Sequence, residues 1–264
     1  MQISDHHRFI ERIAEVLDGT PDAAQLIQAV QMIFPCEAGF AVLNRRAAAP
    51  VYLADSYPDA ASKAAVQLYV RATYEINPVF NAIESGLREG VVRMADLAPD
   101  NWVSAGVDVV ADASEEIGYR TPGWPAGMQE VSVLIDLPDD VVGEISLARN
   151  AVAGGVPEAD LAPLKLFLPL IRVAFNRIAA DHADTLAPDP AAPLPLGSFG
   201  REVLSSREAE ILQMILKGYS SLSISLHLGI AMPTVKSHRR NAYAKLGIST
   251  QQQLFRLYLD WRGV

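Results

Sequence analysis

Lys236, Ser237, Arg240 and Asn241 lie close together near the end of the chain, and their types suit one chemistry in particular. Lysine and arginine donate to guanine O6 and N7 in the DNA major groove, while serine and asparagine serve bases or phosphates. On a helix turning about 100° per residue, these four share one side with Ala244, whose small side chain permits close approach. Val235, His238, Ala242 and Leu246 fall on the other side and are expected to pack against neighbouring helices. Thr234, Ser221 and Lys245 complete the candidate DNA contacts. The competing reading is a solvated face on an ordinary three-helix bundle, so the surrounding elements have to decide.

Those elements read as short capped helices. Ser205 and Glu208 have the spacing of a capping box, and Leu204, Ile211, Leu212, Ile215 and Leu216 form an apolar stripe at helical spacing. Gly218 after Lys217 is the expected left-handed stop with a cation in the last turn. Ser220 or Ser221 can cap a second helix carrying Leu222, Ile224, Leu226 and Leu228. Gly229 ends it, and Gly229-Ile230-Ala231 has the length of a helix-turn-helix turn. A third helix is expected from about Met232, with Pro233 in its first turn, to Gly247. Ser249 is expected to open a fourth, with Leu254, Leu257, Tyr258 and Trp261 on one side. Residues 200–264 hold nine Lys or Arg against four Asp or Glu, leaving 13 against 27 for residues 1–199 in a chain of net charge −9. The cations that phosphate binding needs are thus gathered in the carboxyl-terminal part.

The run Leu204-Ser205-x-Arg207-Glu208-x-Glu210-Ile211-Leu212, then Gly218, Thr234-Val235-Lys236-x-His238 and Tyr243-x-Lys245-Leu246-Gly247-Ile248-x-Thr250, resembles the DNA-binding domain of the LuxR family of bacterial transcription regulators. The resemblance covers about Leu204 to Leu254. It implies that Lys236, Ser237 and Arg240 face bases, the three that the helical rotation also selects, and that the helix from about Thr250 to Asp260 is a dimer contact. Three positions depart from the family pattern. Ser223-Ile224-Ser225 replaces an acidic residue followed by Ile-Ala, Ala231 stands where Ser is common, and Gln251 where Arg is common. These bear on affinity and operator sequence and leave the fold unaffected.

Thr185 to Ser198, rich in Pro and Ala, reads as a semi-extended spacer. The expected organisation is a sensing and dimerisation domain over 1–184, a linker over 185–199 and the DNA-binding domain over 200–264. No stretch of about twenty residues is free of charge, so no membrane span is expected. The amino terminus lacks the pattern of a secretory signal. The single cysteine, Cys36, excludes an internal disulfide and fits a reducing cytoplasm. It reads as a small apolar residue and not as a redox sensor.

Residues 5–18 and 22–33 read as amphipathic helices, Ala38–Leu43 and Val51–Ala54 as strands joined across Asn44-Arg45-Arg46, and 58–74 as helical, with another helix beginning at Pro78. Val131–Leu137 and Gly143–Arg149 alternate at period two around Pro138-Asp139-Asp140, a hairpin pattern. Glu158–Ala180 reads as a long helical region interrupted at Pro169. The fold class expected is therefore an α/β sensor, an α/β/α sandwich with a mainly antiparallel sheet, followed by an all-α helix-turn-helix domain. The element order resembles the PAS/GAF-like sensor domains.

Such a domain is expected to hold a small apolar or aromatic ligand in a concave pocket, with Tyr57, Tyr69, Tyr74, Asn77, Trp102 and Trp124 as candidate contacts. The pattern Tyr57-Pro58, Tyr69, Tyr74, Asn77-Pro78-Val79 resembles the acyl-homoserine-lactone domain of quorum-sensing LuxR proteins. There an Asp stands at the place of Asn77 and tryptophans at those of Ala64 and Val92, so a lactone is less favoured than another small molecule, although an Asn oxygen can accept from a ligand amide. For each tyrosine the competing reading is core packing.

Lys63 and Lys165 lie in helical stretches, which excludes a phosphoreceiver. No phosphate loop, metal-ligand cluster or nucleophile elbow appears, and His6 and His7 point about 100° apart on a helix. The chain is expected to be no enzyme, to need no cofactor or metal, and to bind double-stranded DNA as a homodimer under ligand control, through a change of dimer geometry carried by the 158–180 region. The alternatives are a ligand-independent regulator whose amino-terminal domain binds a protein partner, and an interaction protein with a vestigial DNA domain.

Overall fold

The computed structural model describes residues 3–99, 128–150, 155–182 and 194–264. The chain opens with two helices, α1 (Ile3–Asp18) and α2 (Ala23–Ile33). The Asp22 carboxylate, on extended backbone, accepts from the Ala24 and Gln25 N–H groups and starts the second. Strands β1 (Ala38–Arg45) and β2 (Val51–Asp55) follow, then α3 (Ala60–Arg71), a 3₁₀ turn (Thr73–Ile76), α4 (Pro78–Glu84), β3 (Gly90–Arg93) and the short α5 (Met94–Leu97). After β4 (Met128–Asp136) and β5 (Val141–Asn150) comes the long α6 (Glu158–Asp181). A second 3₁₀ turn (Leu196–Ser198) leads into α7 (Ser206–Leu216), α8 (Ser221–Leu228), α9 (Met232–Leu246) and α10 (Gln251–Arg262).

The five strands lie in the order β2-β1-β5-β4-β3, with every neighbour antiparallel. The pleat sends alternate side chains to opposite faces. Ala41 and Leu43, Val131, Val133 and Ile135, and Ile145 and Leu147 form one core with Phe9, Ile13, Leu26, Val30, Leu164 and Phe175 from α1, α2 and α6. On the other face, Ala38, Phe40, Val42 and Ala148 pack with Tyr57, Val66 and Tyr69, then Tyr74 and Phe80. Helices on both faces of an antiparallel sheet make the expected α/β/α sandwich. The β4–β5 hairpin turns where expected. Asp139 and Asp140 have φ of 58° and 59°, the pair of positive values that a type I′ turn requires and that Asp tolerates.

Several expectations change. The 58–74 region is not one helix: Ala72 (φ −139°, ψ −50°) leaves α3, and the 3₁₀ turn follows. Strand β1 runs through Asn44 to Arg45, so the turn begins after them. Strand β3 has only four residues, too few for periodicity to reveal. The 158–180 region is not interrupted: α6 continues through both Pro163 and Pro169. Each proline removes one N–H, while Leu161, Leu164, Ile171, Ala174, Phe175 and Ile178 hold the helix along its length. Thr250, not Ser249, caps α10, in a capping box with Gln253. Part of the stretch read as spacer is packed as well. Leu196 and Phe199 are buried in the carboxyl-terminal core, with Phe199 edge-on to Tyr258 and Trp261.

Gly143 sets how closely α6 approaches the sheet. A Cβ built there would lie 2.5 Å from the Phe175 ring, whose side chain is fully buried. Gly143→Ala is expected to lower stability by about 1–3 kcal/mol, with part recovered when Phe175→Leu is added. Thermal unfolding of the three proteins measures both effects.

Candidate nucleic-acid interface and candidate ligand face

The carboxyl-terminal unit is held by caps and one buried carboxylate. Ser205 Oγ accepts from the Glu208 N–H, and Glu208 Oε2 accepts from the Ser205 N–H at 2.8 Å, closing the capping box. The same Glu208 oxygen, on a side chain only 6% exposed, pairs with Lys245 Nζ of α9 at 2.7 Å. The Lys245 hydrogen bond and the Ser205 N–H hold the Glu208 carboxyl down at about 2. Ser220, one of the two serines considered, caps α8 by accepting from the Ser223 N–H, and Gly229 ends it in the left-handed conformation. Ala231 starts α9 with no side-chain cap bond, and Pro233 sits in the first turn.

On α9, Val235 and Ala242 are fully buried, and the helix packs on both α7 and α8. His238 and Leu246 are half-buried beside them. On the opposite side Thr234, Arg240, Asn241 and Ala244 are exposed, and Lys236 and Ser237 half-exposed. Arg240 Nη2 donates to Ser237 Oγ at 3.4 Å, so the two are neighbours on that face. Two candidates stand elsewhere. Ser221 is buried, with 4% of its surface exposed, which withdraws its hydroxyl from the surface. Lys245 is engaged with Glu208 and ties α9 to α7. On α8, Ile224 is buried, whereas Leu222 and Leu226 are exposed.

In the amino-terminal domain the structure brings Tyr57, Tyr69 and Tyr74 into one buried cluster. Asn77 does something other than expected. Its side-chain oxygen accepts from the Val79 and Phe80 N–H groups at 2.7 and 3.2 Å, so it caps α4 and is not held out to accept from a ligand. Its amide nitrogen faces Met94 Sδ. Trp102 and Trp124 lie outside the described residues. Cys36 is half-buried, and burial pushes its thiol up to about 11, which keeps it from the reactive thiolate form. His7 pairs with Glu11 while His6 meets the Phe167 ring edge-on, so the adjacent histidines do point apart.

Sequence reasoning missed a polar layer on the same face. Asn44 of β1, Glu144 and Ser146 of β5, and Glu130 and Ser132 of β4 are all buried. Asn44 Nδ2 donates to Glu144 Oε2 at 2.8 Å. Ser132 Oγ lies 2.9 Å from Glu144 Oε1 and 3.2 Å from Glu130 Oε1. Burial raises both carboxyls, Glu130 further through the charge of Glu144. The available signal was a glutamate and a serine at alternate positions of both strands, Glu130 and Ser132 in β4 and Glu144 and Ser146 in β5, on the phase opposite the apolar Val131, Val133, Ile145 and Leu147.

Also missed was the junction between the amino-terminal domain and the helix-turn-helix. The Arg262 side chain, at the end of α10, is 1% exposed and pairs with Glu75 Oε2 of the first 3₁₀ turn at 3.0 Å. It donates to the carbonyls of Leu194 and Arg71 and to the Tyr74 hydroxyl, and its guanidinium lies 5.3 Å from the Tyr74 ring centroid. Tyr258 Oη donates to the Ala72 carbonyl at 2.7 Å, and the Leu196 N–H donates to Glu75. Burial pushes the Glu75 carboxyl up even so. Spacing within either domain carries no trace of contacts that span more than 180 residues of chain.

The capped α8-turn-α9 pair, with its exposed Lys236–Asn241 surface, is a helix-turn-helix appended to an antiparallel α/β/α domain. Residues 202–258 match the bacterial regulatory proteins of the luxR family (GerE). SgaR of Hyphomicrobium methylovorum, named a probable transcriptional regulatory protein, is 31% identical over 201 residues, 70% of this chain and 89% of its own. An HTH-type transcriptional regulator from the exeN 3′ region of Aeromonas salmonicida is 25% identical over 194 residues, 70% of this chain and 93% of its own. The chain belongs to the LuxR family and is a transcriptional regulator, in a family that acts by binding DNA and not by catalysis. The fold of the amino-terminal part is shared with the VqsR LBD domain from Pseudomonas aeruginosa, at a TM-score of 0.50 and 16% identity over 66% of this chain and 95% of that one. No described helix is long and apolar enough to cross a membrane.

Glu208 gives the carboxyl-terminal unit a pH dependence of known sign. Its folded carboxyl sits near 2 against an ordinary 4.5, so its contribution is complete above about 4.5 and is lost as the pH falls towards 2. Wild type is expected to unfold at higher temperature than Glu208→Gln near neutral pH, with the gap narrowing as the pH drops to about 3. Parallel melts across that range are the check.

Proposed function

We propose that this regulator works in the cytoplasm as a homodimer, reads DNA through α9, and is controlled by a small molecule held against the inner sheet face of residues 1–184. The observation that carries the reading is the α9 face itself. Lys236, Ser237, Arg240, Asn241 and Thr234 stand exposed or half-exposed on one side of a helix whose other side is locked by Val235, Ala242 and the Lys245–Glu208 pair. Rigid placement matters because donors to base edges discriminate only when held in register.

A dimer follows from reach, since one short helix reads too few base pairs for useful specificity. The outer face of α6 supports it: Leu166, Leu170 and Val173 are exposed at helical spacing, an apolar stripe that a second copy would cover. The Arg262 junction supports the coupling. Tyr74 belongs to the sensor-face cluster, where its ring meets Phe80 at 4.9 Å, and it also lies under Arg262. A ligand that shifts the cluster would therefore act on the attachment of α10.

Arg240→Ala is expected to cost about 1–3 kcal/mol of affinity for a sequence selected by the wild-type protein from random DNA, and to relax selectivity at one base position. Anisotropy titration of that duplex and of a scrambled one measures this, and equal binding by wild type and variant would rule the face out. Sedimentation in the same buffer should show the dimer.

At the junction, Arg262→Met alone leaves Glu75 buried without its partner and is expected to cost about 3–5 kcal/mol. Adding Glu75→Gln should return much of that loss. A double-mutant cycle from denaturant unfolding, with amide exchange in α10 as a second readout, checks the coupling. Additive effects would show that the two residues do not act together.

A further inference from the structure

The polar layer on the inner sheet face is incomplete. Glu144 is satisfied at both oxygens, by Asn44 and by Ser132. Glu130 is not: its Oε1 meets Ser132, and its Oε2 is buried without a partner. Three more polar atoms are stranded on that face, the Tyr69 hydroxyl, the second amide atom of Asn44, Oδ1, and the Ser146 hydroxyl, which neighbours Glu130 without a well-formed hydrogen bond. Tyr69 is more than nine-tenths buried, Asn44 entirely so, and both carboxylates act on the Tyr69 hydroxyl electrostatically. A buried polar atom left without a partner costs about 1–3 kcal/mol, and several on one sheet face, with Tyr69 and Glu130 close enough to act on one another, call for a group that is absent from the chain itself.

The chemistry of that group follows from what surrounds it. All four stranded atoms can accept, Glu130 Oε2 and Asn44 Oδ1 as acceptors only and the Tyr69 and Ser146 hydroxyls as donors too, and the two hydroxyls leave the carboxyl charge without a cation. No Lys, Arg or His is paired with Glu130 or Glu144 among the described residues. Beside them lie rings, with Phe40 and Tyr69 5.3 Å apart between centroids and Tyr57 in the same cluster. Acceptors together with two carboxylates want a donor that carries positive charge, and ring faces favour the same charge. A hard metal ion would need six or more oxygen ligands, and no group of three or more metal-ligating residues exists among the described residues.

We propose that Glu130 and Glu144, with Asn44 and Tyr69, form the recognition site for a small organic cation, an ammonium or amidinium head on a short apolar or aromatic body. The head would sit between Glu130 Oε2 and the Tyr69 hydroxyl, and the body against Phe40 and Tyr57. This rests on the reading of the inner sheet face as the sensor site and names the class of molecule it takes. Burial favours the protonated form of both carboxyls, and the charge of Glu144 pushes Glu130 further, up to about 8. Entry of a cation lets both ionise, so binding supplies the charge that the fold itself withholds.

The test uses the full chain and two matched series: 2-phenylethylamine and hexylamine, the corresponding alcohols, and phenylacetate and hexanoate. Thermal shift and calorimetric titration are run on wild type, Glu130→Gln and Tyr69→Phe. The amines should stabilise wild type saturably and the alcohols and acids should not. Glu130→Gln should unfold at the same or a higher temperature, since it loses a buried carboxyl, yet bind the amines about tenfold or more weakly. Tyr69→Phe should weaken them to a lesser degree. The proposal is overturned if neither amine stabilises wild type, if Glu130→Gln binds them as tightly, or if alcohols or acids bind equally well. The last outcome would leave a ligand-controlled regulator with a different ligand chemistry. The Arg240→Ala titration, on a helix remote from this face in sequence, tests the DNA-binding reading separately.

Discussion

The amino-terminal domain depends on a pleated sheet that must bury both faces, although the residues on its two faces differ in kind. Strands β1, β5 and β4 alternate side chains front and back, so a single register assigns every residue of the three to one layer or the other. One layer is apolar through its centre and takes three helices, with Gly143 leaving the space that the Phe175 ring fills. The other receives Phe40 and Val42 together with Asn44, Glu144, Ser132 and Glu130. Slipping one strand by a residue would put the carboxylates among α1, α2 and α6, where nothing could answer them. The hairpin turn at Asp139-Asp140 guards that register at the β4–β5 pair.

The second constraint is the burial of Arg262. A guanidinium with 1% of its surface exposed persists only where its charge is answered, and here a carboxylate, two carbonyls and a tyrosine hydroxyl take up the Nη1 and Nη2 donors, while Nε is buried without a partner. All but one of these partners belong to the end of α3 or the turn after it, the segment where Ala72 breaks the helix. The break is therefore what presents the Arg71 and Ala72 carbonyls to α10. Because Tyr74 belongs to the aromatic cluster on the sheet and also lies under Arg262, the two domains share a side chain as well as an interface.

The helix-turn-helix relies on a shorter chain of cause. Glu208 completes the cap of α7 and simultaneously anchors Lys245, so one carboxylate aligns the first and third helices of the unit. The departures from the family pattern fall outside that pair, Ser223 in α8, Ala231 ahead of α9 and Gln251 at the start of α10, and the helices stand close to their expected places. Charge segregation fits this division, with cations gathered in the last quarter and acids ahead of it.

What the sequence determined by itself was local. Capping residues, glycines in left-handed turns and period-3.6 or period-2 patterns placed α7 to α10, α1, α2 and the β4–β5 hairpin, because each signal lies within a few residues of the element it makes. The cationic face of α9 was legible for the same reason, and so was the family resemblance. Tertiary structure alone decided the rest. It buried Ser221, turned Asn77 into a cap, engaged Lys245 with Glu208, ran α6 through two prolines, and packed Leu196 and Phe199 out of the spacer. It also brought Glu130 beside Glu144, and Arg262 beside Glu75 and Tyr74. These outcomes turn on which distant segments meet and on whether water is shut out when they do. Periodicity along a chain reports which way a side chain points, whereas its partner and its solvation are set by elements far away in sequence.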